Sequence, residues 1–163
     1  MKKTEKIKEA IKDLKEKIIT KEDLNLTLEQ INLIEDLLFK DVTTPLLKKC
    51  EQKINEDLKI IIKIWEEEKI IAHSPDEQFS FFETLKKELN HFFLVKLEIA
   101  FEPSRDFLER VKDWLKENLN QEIILEVKKN PQIVGGLIIE YQGKYLDLSL
   151  AKKIDEIIEQ KIL

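Results

Sequence analysis

Apolar residues recur every three or four positions through the first half of the chain and every second position in parts of the second half. The first spacing lines up side chains along one stripe of a helix, the second along one face of a strand. Ile7, Ile11, Leu14 and Ile18 predict a first amphipathic helix. Thr20-Lys21-Glu22-Asp23 reads either as a capping signal or as a turn. Thr27-Leu28-Glu29-Gln30 reads as a capping box, which predicts a second helix from Leu28 to about Lys40 that buries Ile31, Ile34, Leu37 and Leu38. With Thr44 as N-cap and Pro45 in the first turn, a third helix carries Leu47, Cys50, Ile54, Leu58, Ile61 and Trp65 on one stripe. It is expected to run unbroken to Ala72, roughly 42 Å at the helical rise per residue. Ile60, Ile62 and Ile64 lie outside that stripe, so this helix either is buried on more than one face or offers one to a partner. Ser74 and Pro75 start a fourth helix, with Phe79, Phe82, Leu85, Leu89 and Phe93 as its stripe.

Around Leu94 the period changes to two: Val95, Leu97, Ile99 and Phe101 alternate with Lys96, Glu98 and Ala100. Ser104 then caps a helix carrying Phe107, Leu108, Val111, Leu115 and Leu119, and a second alternating strand covers Glu122 to Val127. Leu137 to Tyr141 is a third strand, the Gln142-Gly143-Lys144 step a tight turn, and Tyr145-Leu146 the start of a short returning strand. Gly135 and Gly136, just ahead of the third strand, fit a bulge or a close backbone approach. Asp147 or Ser149 would supply the N-cap oxygen of a final helix from Leu150 to about Ile162. The expectation is an α+β chain: a helical domain of about four helices over residues 1–93, then a small β-α-β-β-α domain over residues 94–163.

Composition narrows the function classes. A net charge of −5 argues against nucleic acid as the main partner, since phosphate recognition favours a basic patch. No apolar run approaches the roughly 20 residues that span a bilayer, and Lys59 and Lys63 interrupt the best stretch. The charged first residues lack the apolar core of a signal peptide, so membrane association is expected only indirectly, through partners. Cys50, the single cysteine, can form no intrachain disulfide, which fits a reducing compartment.

Catalytic chemistry has little to stand on. His73 and His91 have no cysteine at metal-ligand spacing, and Cys50 sits on an apolar stripe as a buried thiol would. Gly135-Gly136 matches neither phosphate-loop spacing. Asp147 and Ser149 read as caps rather than catalysts. No catalytic, cofactor-binding or metal-ligating set is expected.

The stretch Asn130 to Leu150 carries a resemblance beyond these patterns. An Asn-Pro step, Ile133-Val134-Gly135-Gly136, an apolar strand, then Gly143-Lys144-Tyr145-Leu146-Asp147-Leu148-Ser149 and a basic pair resembles the C-terminal region of the ATP synthase delta subunit family, which includes the mitochondrial oligomycin sensitivity-conferring protein. The similarity runs from about Lys96 to Leu163. The E subunit of V/A-type ATPases and a flagellar export regulator share its Gly-Gly-strand-turn-Asp pattern. The resemblance implies a non-catalytic peripheral-stalk subunit of an F-type ATP synthase, at the cytoplasmic face of the membrane. Its N-terminal helical domain, typically of six helices in the family, would bind the catalytic head's alpha subunits, and its C-terminal domain the membrane-anchored b subunit. Tyr145, Leu148, Leu150, Lys152 and Lys153 are then the candidate partner-binding residues, and Gly135, Gly136, Gly143, Asp147 and Ser149 the structural ones. An E-type stalk subunit and a stand-alone helical adaptor remain the alternatives.

Overall fold

The computed structural model describes residues 3–150, which form helices first and a four-stranded sheet after them. Two compact units result, one of Met1–Ile18 with Glu22–His91 and one of Ile19–Lys21 with Phe92–Leu163. Five helices build the first. Of the stripe the spacing predicts, Ile11 and Leu14 of α1 (Lys3–Lys17) and Ile18 after it are buried and Ile7 is half-buried; Ala10 is buried beside them. α2 (Lys21–Leu38) starts seven residues before the expected Leu28. Glu22 and Asp23 in its first turn complement the helix dipole, while Thr27 donates its hydroxyl to Asp23 O at 2.8 Å, as a threonine in mid-helix does, instead of capping.

The long third helix does not exist as one piece. Its place is taken by α3 (Leu46–Cys50) and α4 (Glu56–Glu67). Asn55 makes the break: its Oδ1 accepts from Leu58 N at 2.8 Å, while its own N–H donates to Oε1 of buried Gln30 at 3.1 Å. Ile54 stays buried across the interruption, so the apolar spacing runs on while the backbone does not. α3 begins without Thr44 as cap, because Thr43 and Thr44 both donate to the Asp41 carboxylate. Those hydrogen bonds, the Thr44 hydroxyl's foremost, hold the Asp41 carboxyl well below the usual carboxylate range. α4 stops at a left-handed Lys69 (φ 56°), with Ile70 N donating to Trp65 O at 2.8 Å and Lys69 N to Glu66 O at 3.1 Å. That pair of bonds is a Schellman cap, made here without glycine. Ile62 belongs to the buried stripe of α4, whereas Ile60 and Ile64 are exposed.

In α5 (Pro75–Leu89) the buried stripe is Phe81, Phe82, Leu85 and Leu89. Phe79 turns outward toward the Phe39 ring, and Phe93 belongs to the first strand, so neither joins the expected stripe. Trp65, Phe81 and Phe82 stack edge to face at 5.2 and 5.4 Å between centroids.

The second unit contains β1 (Phe93–Ile99), α6 (Arg105–Leu119), β2 (Ile123–Lys129), β3 (Leu137–Tyr141) and β4 (Lys144–Asp147). This is one strand more than the expected order counts, because the short return after Gly143 pairs fully. The sheet order is β2-β1-β3-β4, with β1 and β2 parallel and the other two pairs antiparallel. Ser104 Oγ caps α6 by accepting from Phe107 N. Val95, Leu97, Ile99, Ile123, Leu125 and Ile139 form the core with Leu108 and Leu115 of α6 and with Ile19. At the β3–β4 turn Gln142 and Gly143 both have positive φ, 50° and 75°, as a type I′ hairpin turn requires. The expected final helix lies outside the described residues.

Candidate functional site: an apolar pocket and an exposed hairpin

Two features stand out, one in each unit. In the helical unit α1 and α5 border a pocket of about 410 Å³. Ile7, Ile70, Ala72 and Phe81 give it apolar walls, and Asp76 and Glu77, in the first turn of α5, add carboxylates. Lys15 of α1 pairs with Glu88 of α5 at 3.1 Å. Apolar walls with carboxylates among the lining suit an amphipathic helix that also carries a base. Spacing along the chain could not reveal it, because its walls come from residues more than sixty positions apart.

In the sheet unit the β3–β4 hairpin carries the sequence-predicted residues. Leu146 pairs with buried Ile139 and shares its face, Leu148 follows two residues on, and Leu150 comes where the chain turns helical. Leu148 N donates to Leu137 O at 2.9 Å and Leu150 N to Gly135 O at 2.8 Å, so the two segments stay paired beyond β4. Leu146, Leu148 and Leu150 are 46, 45 and 48% exposed. Tyr145, though 70% exposed, pairs with Glu140, which places it on the opposite face from Leu146. The predicted partner-binding set is thus split between two faces, and Lys152 and Lys153 lie outside the described residues. Leu146, which alternates with Leu148, was not among the partner-binding residues singled out from the sequence.

The half-exposed row of Leu146, Leu148 and Leu150, here called the shelf, has a geometric origin. One helix is about 10 Å wide and strands lie about 4.8 Å apart, so α6 covers only part of a four-stranded sheet. Phe107 and Val111 on one flank of α6 pack on the same core as Leu137 and Tyr141 of β3. Trp114, on that flank by helical spacing, is 49% exposed.

The structural residues have defined tasks. A Cβ on Gly136 (φ +81°) would lie 2.3 Å from Leu148 O, so this glycine permits the crossing of two backbones. One on Gly135 would meet the Leu150 side chain first, and one on Gly143 nothing within 4 Å. Asp147 Oδ1 accepts from Ser149 N at 2.8 Å, and Ser149 is buried. Among the described residues no group of three or more His, Cys, Asp or Glu is placed to hold a metal ion. No described helix is long and apolar enough to cross a membrane.

Burial, helped by the nearby Glu66 charge, pushes the Cys50 thiol up to about 11, and its Sγ donates to Leu46 O at 3.2 Å. A raised thiol pKa favours the protonated fold. Its contribution to stability is complete below the ordinary thiol range near 8.5 and is lost as pH climbs toward 11. Native protein at pH 8.5 should therefore react with iodoacetamide at least about a hundredfold more slowly than a free thiol, the rate rising only with unfolding. Rapid labelling of folded chain would contradict a closed thiol.

The family model for the ATP synthase delta (OSCP) subunit matches residues 1–160. The chain belongs to the ATP synthase delta (OSCP) subunit family. The match takes in the helical unit as well as the stretch from Lys96 that carries the resemblance in the sequence. The ATP synthase subunit delta of Aquifex aeolicus is 31% identical over 62 residues, covering 38% of this chain and 34% of that one. That of Carboxydothermus hydrogenoformans is 25% identical over 109 residues, covering 67% of this chain and 61% of that one. The aligned part thus spans between about a third and three-fifths of these relatives. A chain in the cryo-EM structure of the Polytomella F-ATP synthase is 17% identical, with 42% of this chain and 88% of that one covered, at a TM-score of 0.38, an overlay too loose to bear on the fold.

Proposed function

We propose that this delta-family chain is a non-catalytic part of an F-type ATP synthase peripheral stalk, joining the catalytic head to the membrane-anchored b subunit. The observation that supports this reading is an apolar pocket in one unit and half-exposed leucines in the other, within a family match that spans both. A linker between two large partners needs separated surfaces and no tuned acid or base. The α1–α5 pocket suits an amphipathic N-terminal segment of the head's alpha subunits, with apolar side chains against Ile7 and Phe81 and a basic one near Asp76 and Glu77. The shelf formed by Leu146, Leu148 and Leu150 suits the C-terminal helix of b. Attachment to the cytoplasmic face of the membrane is then indirect, through b.

Peptides from the alpha N-terminus and the b C-terminus test this by fluorescence titration against the whole chain. Both should bind, independently of one another. Ile7→Asp places a charge in the pocket wall and should weaken the alpha peptide at least about tenfold while leaving the b peptide unaffected. A chain that binds neither peptide, or whose Ile7→Asp form binds both as the parent does, would refute the assignment.

A further inference from the structure

Along α2, Ile31, Ile34 and Leu38 are buried in the helical unit, while Leu26 and Leu33, seven residues apart, are 45 and 43% exposed. With these two leucines at d of a heptad, the next a positions are Gln30 and half-buried Leu37, and the g positions are Glu22, Glu29 and Asp36. Where two helices pack on such a seam, a and d meet in the middle, and each g faces an e of the other helix, where an opposite charge completes the contact. The three carboxylates at g are exposed, and none of them makes an ion pair with another described residue. Elsewhere exposed acids find a base on their own helix: Glu16 with Lys12, Glu67 with Lys63, Glu83 with Lys86 and Asp106 with Arg110. α2 offers none, because no lysine or arginine occurs between Glu22 and Phe39.

We infer that this flank of α2 is a docking surface for one amphipathic helix of a partner protein. That helix has an apolar stripe to cover Leu26 and Leu33, and lysine or arginine at e in successive heptads to meet Glu22, Glu29 and Asp36. Charge and spacing together select this occupant. The acids recur every seven residues, about 10 Å apart along the helix axis, a repeat that a neighbouring helix matches with its own heptads. The leucines alone would accept any apolar helix. The acid row beside them excludes one with glutamate at e, because like charges would then face each other across the seam. None of the residues lining the α1–α5 pocket belongs to α2, so the flank is a further surface and does not depend on the stalk reading.

Two synthetic peptides of about three heptads test this against the full chain by fluorescence anisotropy. Both have leucine at a and d; one has lysine and the other glutamate at e and g, which also keeps each from pairing with itself. The lysine peptide should bind at least about tenfold more tightly than the glutamate peptide. Glu29→Lys combined with Asp36→Lys should invert that preference, which a loss of stability could not do. Leu26→Ser with Leu33→Ser, checked for intact helices by circular dichroism, should weaken the lysine peptide at least about tenfold. Asp113→Lys with Glu117→Lys makes the same change of net charge on the exposed side of α6 and should leave its affinity within about threefold. A preference that does not invert, or an equal loss from the α6 pair, would overturn the proposal. So would an Ile7→Asp effect as large as that of the leucine pair, which would put the peptide in the pocket, or self-association of the parent through Leu26 and Leu33 in sedimentation, which would make a second copy the occupant. The alpha and b peptides of the stalk reading, titrated on the inverted variant, should bind it as they bind the parent, so either idea can fail while the other stands.

Discussion

Gly136→Val should destabilise the sheet unit by about 3 kcal/mol or more, lowering its melting temperature by more than about 10 °C. Two independent effects combine at this position. The backbone sits at φ +81°, a region that a β-branched side chain enters only with strain of about 1–3 kcal/mol. The added Cβ would also stand 2.3 Å from Leu148 O and 3.0 Å from Ser149 Cα, both backbone atoms of the segment paired with it. Neither can rotate away, so relief requires the pairing of Gly135 with Leu150 and of Leu137 with Leu148 to open. The other glycines supply the controls. Gly143→Ala meets only the conformational strain at φ +75° and should cost about 1 kcal/mol. Gly135→Ala meets the end of the Leu150 side chain, which can move aside, and should be the mildest. Thermal melts of all three rank the cause: equal losses at Gly136 and Gly143 would show that the backbone crossing contributes nothing.

The same residues show what a sequence makes legible. Local chemistry was readable at some positions and misread at others, as the caps expected at Thr27 and Thr44 show. Ser104 ahead of Phe107 announced a cap, Val95-Leu97-Ile99 a strand with one buried face, and Gln142-Gly143 a hairpin turn. Breaks that keep the apolar spacing intact were not readable. Ile54 and Leu58 hold their stripe across Asn55, so nothing in the hydrophobic pattern records that the helix has stopped. The stop at Lys69 was hidden too, because a lysine fills the left-handed position that a glycine would have advertised. Phe79 joined the wrong stripe because its ring partner, Phe39, is forty residues away. Everything that depends on long-range pairing stayed invisible for the same reason: the sheet order, the place of Ile19 in a sheet core, and the meeting of Ile7 with Phe81 at one pocket. Of the candidate site, the hairpin was legible as a motif. Its division into two faces followed only once register placed Tyr145 beside Glu140 and Leu146 beside Ile139.

That division sets the second large effect. Leu146→Asp combined with Leu148→Asp should weaken binding of a b C-terminal peptide by at least about a hundredfold. Each leucine is close to half exposed, so covering the remainder is worth roughly 1 kcal/mol apiece, and an aspartate in its place would bury an unpaired carboxylate under the peptide. The fold should notice far less, because both side chains already face water and the backbone bonds of Leu148 do not involve its side chain. Leu146→Ser with Leu148→Ser removes the apolar area without adding charge and should weaken binding about tenfold, which separates lost contact from electrostatic exclusion. Tyr145→Ser, on the other face, should leave the affinity within about threefold. A stronger effect at Tyr145 than at the leucine pair would move the docking surface to the face that carries Lys96 and Glu140, which are joined at 3.1 Å. Replacing Lys152 and Lys153 together with glutamate probes the rim, and removing residues 130–163 probes the whole surface. If the truncated chain, checked for a folded helical unit by circular dichroism, binds the b peptide as well as the parent, then b does not dock on this hairpin and the helical unit must carry both partners.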